Sequence, residues 1–335
     1  MIKIAVDAMG GDYAPKEIVQ GVNLAIQEHS DLYINLYGKQ EEIEKYLVKS
    51  DRVNVINAMN KLDMGEKDPV SVIRKDKELS MVKAFQAVHD KECQGAVTAG
   101  PTQGAVVAAH LIVRRIEGMK RVALCPQLPN IGGKSRFLLD VGANTDIRPE
   151  HVVQYAEFAS VFFRETRKVE KPIVGLVNIG SEPGKGRELE KEVYKLLSED
   201  ENINFYGNIE PKEMLKSPCD ILVTDGFSGN LVMKAIEGTA KAVGDVLKEE
   251  IKKSLWAKIG YALFMRKTFK NFKKRMNSEE VGGAVVFGVD GIIVKAHGNS
   301  SAYAFFKAIE LCKRAIEGNV VELMKEKLAV TNNGK

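Results

Sequence analysis

Six times in this chain a short, β-branched apolar run stops in a cluster of glycine with Asp, Asn, Thr, Lys or His, and no other feature narrows the fold so far. The junctions are IKIAVDAMGGD (2–12), GAVTAGPTQG (95–104), FLLDVGAN (137–144), IVGLVNIGSEPGKG (173–186), DILVTDGFSGN (220–230) and GIIVKAHGNSS (291–301). Parallel strands of an open α/β sheet pass into helices along one common edge, and ligands bind there. Six loops rich in hydrogen-bond donors are therefore expected to converge on one rim and form an enzyme site.

The intervals between junctions carry helical spacing. In PKEIVQGVNLAIQEH (15–29), Ile18, Val22, Ala25 and Ile26 share a face and Pro15 suits a helix start. Segments 80–92, 149–166 and 186–200 read the same way, and 31–38, 52–58 and 203–209 add strands without glycine-rich ends of the same kind. Strand, turn, helix, strand in alternation predicts a three-layer α/β/α arrangement around a mostly parallel sheet. One catalytic domain is expected over 1–330, with a division into two subdomains left open, and residues 331–335 read as a tail.

Composition excludes several classes. The 335 residues are 44% hydrophobic and 28% charged, enough for a large core, and a net charge of +4 gives no reason to invoke nucleic acid. Cys93, Cys125, Cys219 and Cys312 stand far apart without CxxC spacing, which suits reduced structural thiols in a cytoplasm. No secretory leader is expected at the N-terminus, and no run of 18 apolar residues spans a membrane. None of the turns carries GxGxxG or a P-loop, and there is no HExxH or close His/Cys cluster, so neither a nucleotide cofactor nor a metal is expected.

The glycines still matter chemically, because a backbone without Cβ can present consecutive N–H groups to an anion at a helix N-terminus. Phosphate, or a substrate bearing it, is the natural guest. Asp7, Gly10, Gly11, Gly100, Thr102, Asn144, Asp225, Gly226 and Gly229 form the expected binding set. Of five histidines, His29, His89, His110 and His151 fall in or beside helical segments, whereas His297 alone stands in a glycine-rich turn and is the preferred titratable catalyst. Lys185, between Gly184 and Gly186, can reach an anion without crowding; a solvated loop lysine is the competing reading. Asn230 and Asn144 can each donate to an oxyanion or cap the following helix. No GxSxG elbow occurs, which favours direct transfer between two bound substrates.

Residues 248–276 hold ten Lys or Arg against two Glu, interleaved with apolar residues at helical spacing. A basic and aromatic helix, or a pair bent near Gly260, suits an anionic membrane surface or an acidic protein partner. Leu255, Trp256, Ile259, Leu263 and Phe264 are the candidate contacts; a buried dimer-packing face is the alternative.

Taken together, IAVDAMGGD, LLDVGAN, GSEPGKG, VTDGFSGN, and VGGAVVFGV followed by VKAHGNSS resemble the bacterial phosphate acyltransferases of the PlsX type, in the family's order along nearly the whole chain. The resemblance implies a fold like that of the isocitrate and isopropylmalate dehydrogenases and of phosphotransacetylase. It implies transfer of a long-chain fatty acyl group from acyl carrier protein to inorganic phosphate, giving acyl phosphate for phospholipid synthesis. It also implies a homodimer in the cytoplasm, attached peripherally to membrane. One loop departs: where the family reads SAGNTGA, this chain has TAGPTQGA (98–105), with Pro101 in place of Asn and Gln103 added.

On this reading Lys185 and turn amides hold phosphate, Asn230 serves the oxyanion, and His297 bonds phosphate or protonates the departing thiolate. Two rivals stand beside it: a phosphate acetyltransferase acting on short acyl coenzyme A, and a non-catalytic membrane scaffold for lipid enzymes.

Overall fold

The computed structural model describes residues 1–128, 136–269 and 282–333. All six apolar runs are strands. In chain order the strands are β1 (Ile2–Asp7), β2 (Leu32–Gly38), β3 (Val53–Asn57), β4 (Gly95–Thr98), β5 (Ala123–Pro126), β6 (Phe137–Leu139), β7 (Ile173–Val177), β8 (Asn204–Ile209), β9 (Ile221–Val223), β10 (Ala284–Phe287) and β11 (Ile292–Lys295). They form a seven-stranded sheet, β3-β2-β1-β4-β11-β10-β5, and a four-stranded sheet, β6-β9-β7-β8. Every pairing is parallel except those of β10, which runs antiparallel to both β11 and β5.

The expected single rim is therefore corrected to two. Strands β1, β4 and β11 lie side by side in the larger sheet, and β6, β9 and β7 in the smaller. The chain changes sheet between β5 and β6, where Gln127 bridges Phe137 in antiparallel register. β5 and β10 went unread in the sequence because each is a four-residue run with no donor-rich end to mark it.

Burial on both faces explains why these strands are almost continuously apolar. Along β1, Ile4 and Val6 enter a core shared with Val19 and Val22 of helix Lys16–Glu28 and Phe305 of helix Ala302–Glu317. Ala5, between them, faces the opposite core with Phe85 of helix Ser80–His89 and Ala105 of helix Thr102–Ala108. Helix Pro149–Arg167 serves both sheets: Phe162 lies 5.7 Å from Phe137 of β6 and 5.0 Å from Phe287 of β10, ring centre to ring centre. Each such fully buried ring contributes about 1.5–3 kcal/mol by transfer from water, and edge or offset contacts add to it.

Helix boundaries follow the sequence expectations closely, with Pro15 immediately before Lys16–Glu28 and Pro149 opening Pro149–Arg167. Two expectations shift. The basic segment does not bend at Gly260: helix Gly226–Lys253 ends at Ser254, which caps a new helix, Leu255–Gly260, and the chain runs through Gly260 into a π turn, Tyr261–Met265. Ser254 takes an extended conformation (φ −119°, ψ 132°) and its hydroxyl accepts the Ala257 amide at 3.3 Å, and that cap restarts the helix on a new axis. Residues 270–276 of the segment lie outside the described residues. At the other end, helix Val320–Asn333 takes in most of the stretch read as a tail, and 334–335 are outside the described residues.

All four cysteines are free and buried. Burial pushes the Cys93 thiol up to about 11 and raises those of Cys125 and Cys312, which leaves them unreactive near neutral pH.

Candidate active site

Asp7 ends β1 and is buried. Its carboxylate accepts the Ser80 and Thr98 hydroxyls, each at 2.6 Å, and the Met9 and Gly10 amides, each at 3.2 Å. Burial pushes its carboxyl above the usual range and these four donors oppose that shift. The carboxylate ties together the ends of β1 and β4 and the start of helix Ser80–His89. Gly10 belongs to the same tie, since a Cβ there would meet Asp7 Oδ2 at 2.4 Å and the Gly100 amide nitrogen at 2.7 Å. Gly11 turns the chain at φ +106°, and the next amide, Asp12, donates to the Gly298 carbonyl at 2.8 Å. The AMGGD and AHGNSS turns are thereby stitched edge to edge.

The second rim has an equivalent anchor. Asp140 is buried after β6 and accepts the Leu124 amide at 2.9 Å, the Ala143 amide at 3.1 Å and both nitrogens of Asn144 at 2.7 and 2.9 Å. Asn144 sends its side-chain amide also to the Val122 carbonyl at 2.6 Å and to the Tyr155 hydroxyl at 3.0 Å. Of the two roles open to Asn144, the geometry supplies neither; it cross-links the segment just before β5, the β6 turn and helix Pro149–Arg167.

Gly226 and Gly229 let helix Gly226–Lys253 lie directly on this anchor. A Cβ on Gly226 would meet the Asn144 carbonyl oxygen at 2.1 Å, and one on Gly229 the Asp140 carbonyl oxygen at 2.0 Å. Asp225 caps the helix, accepting the Ser228 amide and hydroxyl, each at 2.8 Å, and it pairs with Arg187, which also pairs with Glu190. Burial acts to raise the Asp225 carboxyl, but Ser228 and Arg187 outweigh it and hold the group below the ordinary carboxylate range.

Between the rims lies a cleft of about 240 Å³ whose polar lining includes Thr102, Asn230, Lys295 and His297, with Leu124, Val141 and Met233 as apolar wall. Thr102, Asn230 and His297 were expected from the sequence, and the fold brings them together from three different strand ends. Asp7, Gly10, Gly11, Gly100, Asn144, Asp225, Gly226 and Gly229 instead build the two anchors behind it. Lys185 does not line this cleft. It is exposed in the loop after β7, where its carbonyl accepts the Asn178 amide at 3.0 Å. Arg187, two residues on, joins that loop to Asp225 and so to the helix that carries Asn230.

His297 Nδ1 is 2.6 Å from Asn299 Oδ1. With that oxygen as acceptor the ring proton sits on Nδ1, and Nε2 is the basic nitrogen. Pro101, the departure from the family pattern, precedes helix Thr102–Ala108 with no side-chain cap, so the Thr102 turn begins without the side-chain acceptor an asparagine there would provide.

Lys295 is the residue the sequence reading passed over. It closes β11, is buried, and lines the cleft beside His297. Burial pulls its ammonium down to about 8, against the opposing pull of Asp12 and Glu237. The available signal was a lysine ending an otherwise wholly apolar strand, IIVK, two residues before the chosen histidine.

Such a site can hold an anion on a cation and turn amides, place a polarisable carbonyl near the Asn230 amide, and bury an acyl chain along the apolar wall. Among the described residues no group of three or more His, Cys, Asp or Glu is placed to hold a metal ion.

Comparison with known proteins bears on this chemistry. Residues 2–323 match the family described as "Fatty acid synthesis protein". The chain is 44% identical to "Phosphate acyltransferase" of Acholeplasma laidlawii, with 98% of each chain covered, and 42% identical to that of Staphylococcus aureus strain MRSA252, with 99% and 100% covered. Among solved structures, a phosphotransacetylase from Streptococcus pyogenes superposes with a TM-score of 0.59 at 16% identity, covering 94% of each chain. A 4-hydroxythreonine-4-phosphate dehydrogenase from Klebsiella pneumoniae gives 0.54 at 11% identity, covering 94% of this chain and 99% of the other. At that identity the likeness is one of fold alone, α/β and mostly parallel, as expected.

Proposed function

The chain belongs to the phosphate acyltransferase family, and from that premise we propose that the cleft between the two rims is where phosphate attacks an acyl thioester. As a family member it is an acyltransferase of phospholipid synthesis with phosphate as acceptor. The finer reading is that the donor is a long-chain fatty acyl group on acyl carrier protein and the product acyl phosphate.

A phosphate oxygen adds to the thioester carbonyl carbon, the carbonyl oxygen takes up negative charge, and the carbon–sulfur bond then breaks to release thiolate. Phosphate near neutral pH is already largely anionic, so orientation and charge neutralisation matter more than a strong base. The Asn230 amide is assigned to the oxyanion; losing one such donor typically costs about 10²–10³ in rate. His297 either bonds phosphate or gives a proton to the thiolate, whose ordinary pKa of about 8.5 makes it a fair leaving group unaided. Lys185, exposed on the neighbouring loop outside the cleft lining, is assigned to drawing phosphate toward the cleft rather than to holding it there.

The observation that carries this reading is that Asn230 and His297, from different sheets, line one cleft with an apolar wall of Leu124, Val141 and Met233. That wall favours a long acyl chain over a two-carbon group. Purified Lys185→Ala and His297→Ala should each lose acyl phosphate formation by tenfold or more; wild-type rates in both would remove the two roles.

For the partner surface we favour peripheral contact with an anionic membrane. Leu255, Trp256, Leu263 and Phe264 are 69, 81, 70 and 78% exposed, and Lys252, Lys253, Lys258, Arg266 and Lys267 flank them in sequence. Ile259 is 41% exposed on the same short helix. No described helix is long and apolar enough to cross a membrane. A homodimer is proposed through the later half of the long helix, where Val243, Val246 and Leu247 are exposed.

A further inference from the structure

We propose that Lys295 is the cation that receives phosphate in the cleft, a role that rests on the phosphate acyltransferase reading and names a residue for it. Lys295 closes β11 between Val294, which is wholly buried, and Ala296, whose amide donates to the Thr98 carbonyl at 2.8 Å. Both neighbours are fixed by the sheet, so the lysine is held on rigid backbone at a strand's carboxyl end, where α/β sheets bind ligands.

An ammonium buried to this degree ordinarily has a carboxylate in contact, as Lys313 has in Glu317 and Asp31. Lys295 makes no such contact among the described residues: Asp12 and Glu237 act on it only through space. Among the described residues, the charged and titratable groups facing it are those two carboxylates, from the β1 turn and the long helix, with Lys234 on the same helix and His297 on its own turn. A largely buried lysine with no partner among the described residues, opening into a cleft with a histidine and an asparagine amide, is a preorganised place for a dianion. Burial that pulls the amine toward pH 8 fits this: the cost of charging it is met when an anion arrives.

Phosphate binding should then draw a proton onto Lys295 at alkaline pH, where phosphate is already the dianion. The test measures steady-state thiol release from long-chain acyl carrier protein with phosphate varied from pH 7 to 9.5, for wild type, Lys295→Met and Lys295→Arg. Phosphate calorimetry in two buffers of unlike ionisation enthalpy accompanies it. Wild type should show a phosphate KM that climbs above about pH 8, toward tenfold per pH unit, with proton uptake on phosphate binding at pH 8.5.

Lys295→Met should raise the phosphate KM at pH 7 at least tenfold, leave the acyl-donor KM in place, and lose the proton uptake. Lys295→Arg, which stays charged, should keep a flat phosphate KM to pH 9.5. An unchanged phosphate KM in a folded Lys295→Met, or a flat wild-type profile, overturns the role of Lys295 alone. Absence of any phosphate dependence in wild type overturns the functional reading beneath it.

Discussion

Arg187 reaches from the loop after β7 to the carboxylate of Asp225, the cap of the helix that carries Asn230. This pair is the side-chain link between the exposed Lys185 turn and the cleft, and Glu190 holds the same guanidinium from the other side. Because Arg187 is itself 58% exposed, breaking the pair should cost little stability, on the order of 1 kcal/mol or less. Its effect on turnover should be larger. Arg187→Met is expected to lower kcat about tenfold with a Tm change of no more than a few degrees; a Tm collapse, or an unchanged kcat, would remove the positioning role.

Asp225 makes that link sensitive to acid. Its carboxyl is held below the unfolded value of 3.8, so its charge contributes stability that is fully present above that value and lost as pH falls through the folded one. Asp225→Asn keeps a capping oxygen and removes the charge. Urea unfolding should find the variant weaker by about 1 kcal/mol at pH 7, with the gap closing below about pH 4. A gap that widened in acid would reverse the sign assigned to this group.

The glycines of the long helix divide into two kinds, and alanine separates them. A Cβ added at Gly226 or Gly229 would stand 2.1 or 2.0 Å from a carbonyl oxygen, whereas one at Gly238 or Gly244 would meet nothing within 4 Å. Gly226→Ala and Gly229→Ala should each destabilise by about 1–3 kcal/mol and shift the helix away from the cleft, with loss of activity. Gly238→Ala and Gly244→Ala should stabilise by about 0.5–1 kcal/mol, as alanine does for exposed helical glycine, with activity intact. Thermal melts of the four variants decide it.

All six glycine-rich junctions were legible as strand ends, because apolar β-branched runs and donor-rich turns report local structure directly. Their partition between two sheets was hidden, since it depends on which strands pair, and β5 and β10 gave no turn signal. Asn230 and His297 were legible as cleft residues from residue type and turn. Asp7 and Asn144 were legible as important but not as anchors, because the hydroxyls and carbonyls they bind come from distant segments: Ser80 and Thr98 for Asp7, Val122 and Tyr155 for Asn144. Lys295 was missed for the same reason, as only the folded environment shows that it is buried at the cleft with no carboxylate in contact among the described residues.

The apolar, basic segment that follows the long helix, residues 255–265, gives a separate prediction. Replacing Leu255, Trp256 and Leu263 by serine should abolish sedimentation with vesicles containing anionic phospholipid while leaving the circular dichroism spectrum and thermal melt in place, because these side chains are largely exposed. Undiminished vesicle binding would instead assign the face to a protein partner or to a second copy of the chain.

Acyl transfer to phosphate in the cleft is decided by thiol release from purified protein offered long-chain acyl carrier protein or acetyl coenzyme A, with and without inorganic phosphate, the product being trapped as its hydroxamate. Release is expected to require phosphate, to proceed with the long-chain acyl carrier protein, and to yield one acyl hydroxamate per thiol. Release confined to acetyl coenzyme A, or release from acyl carrier protein that ignores phosphate, would contradict it.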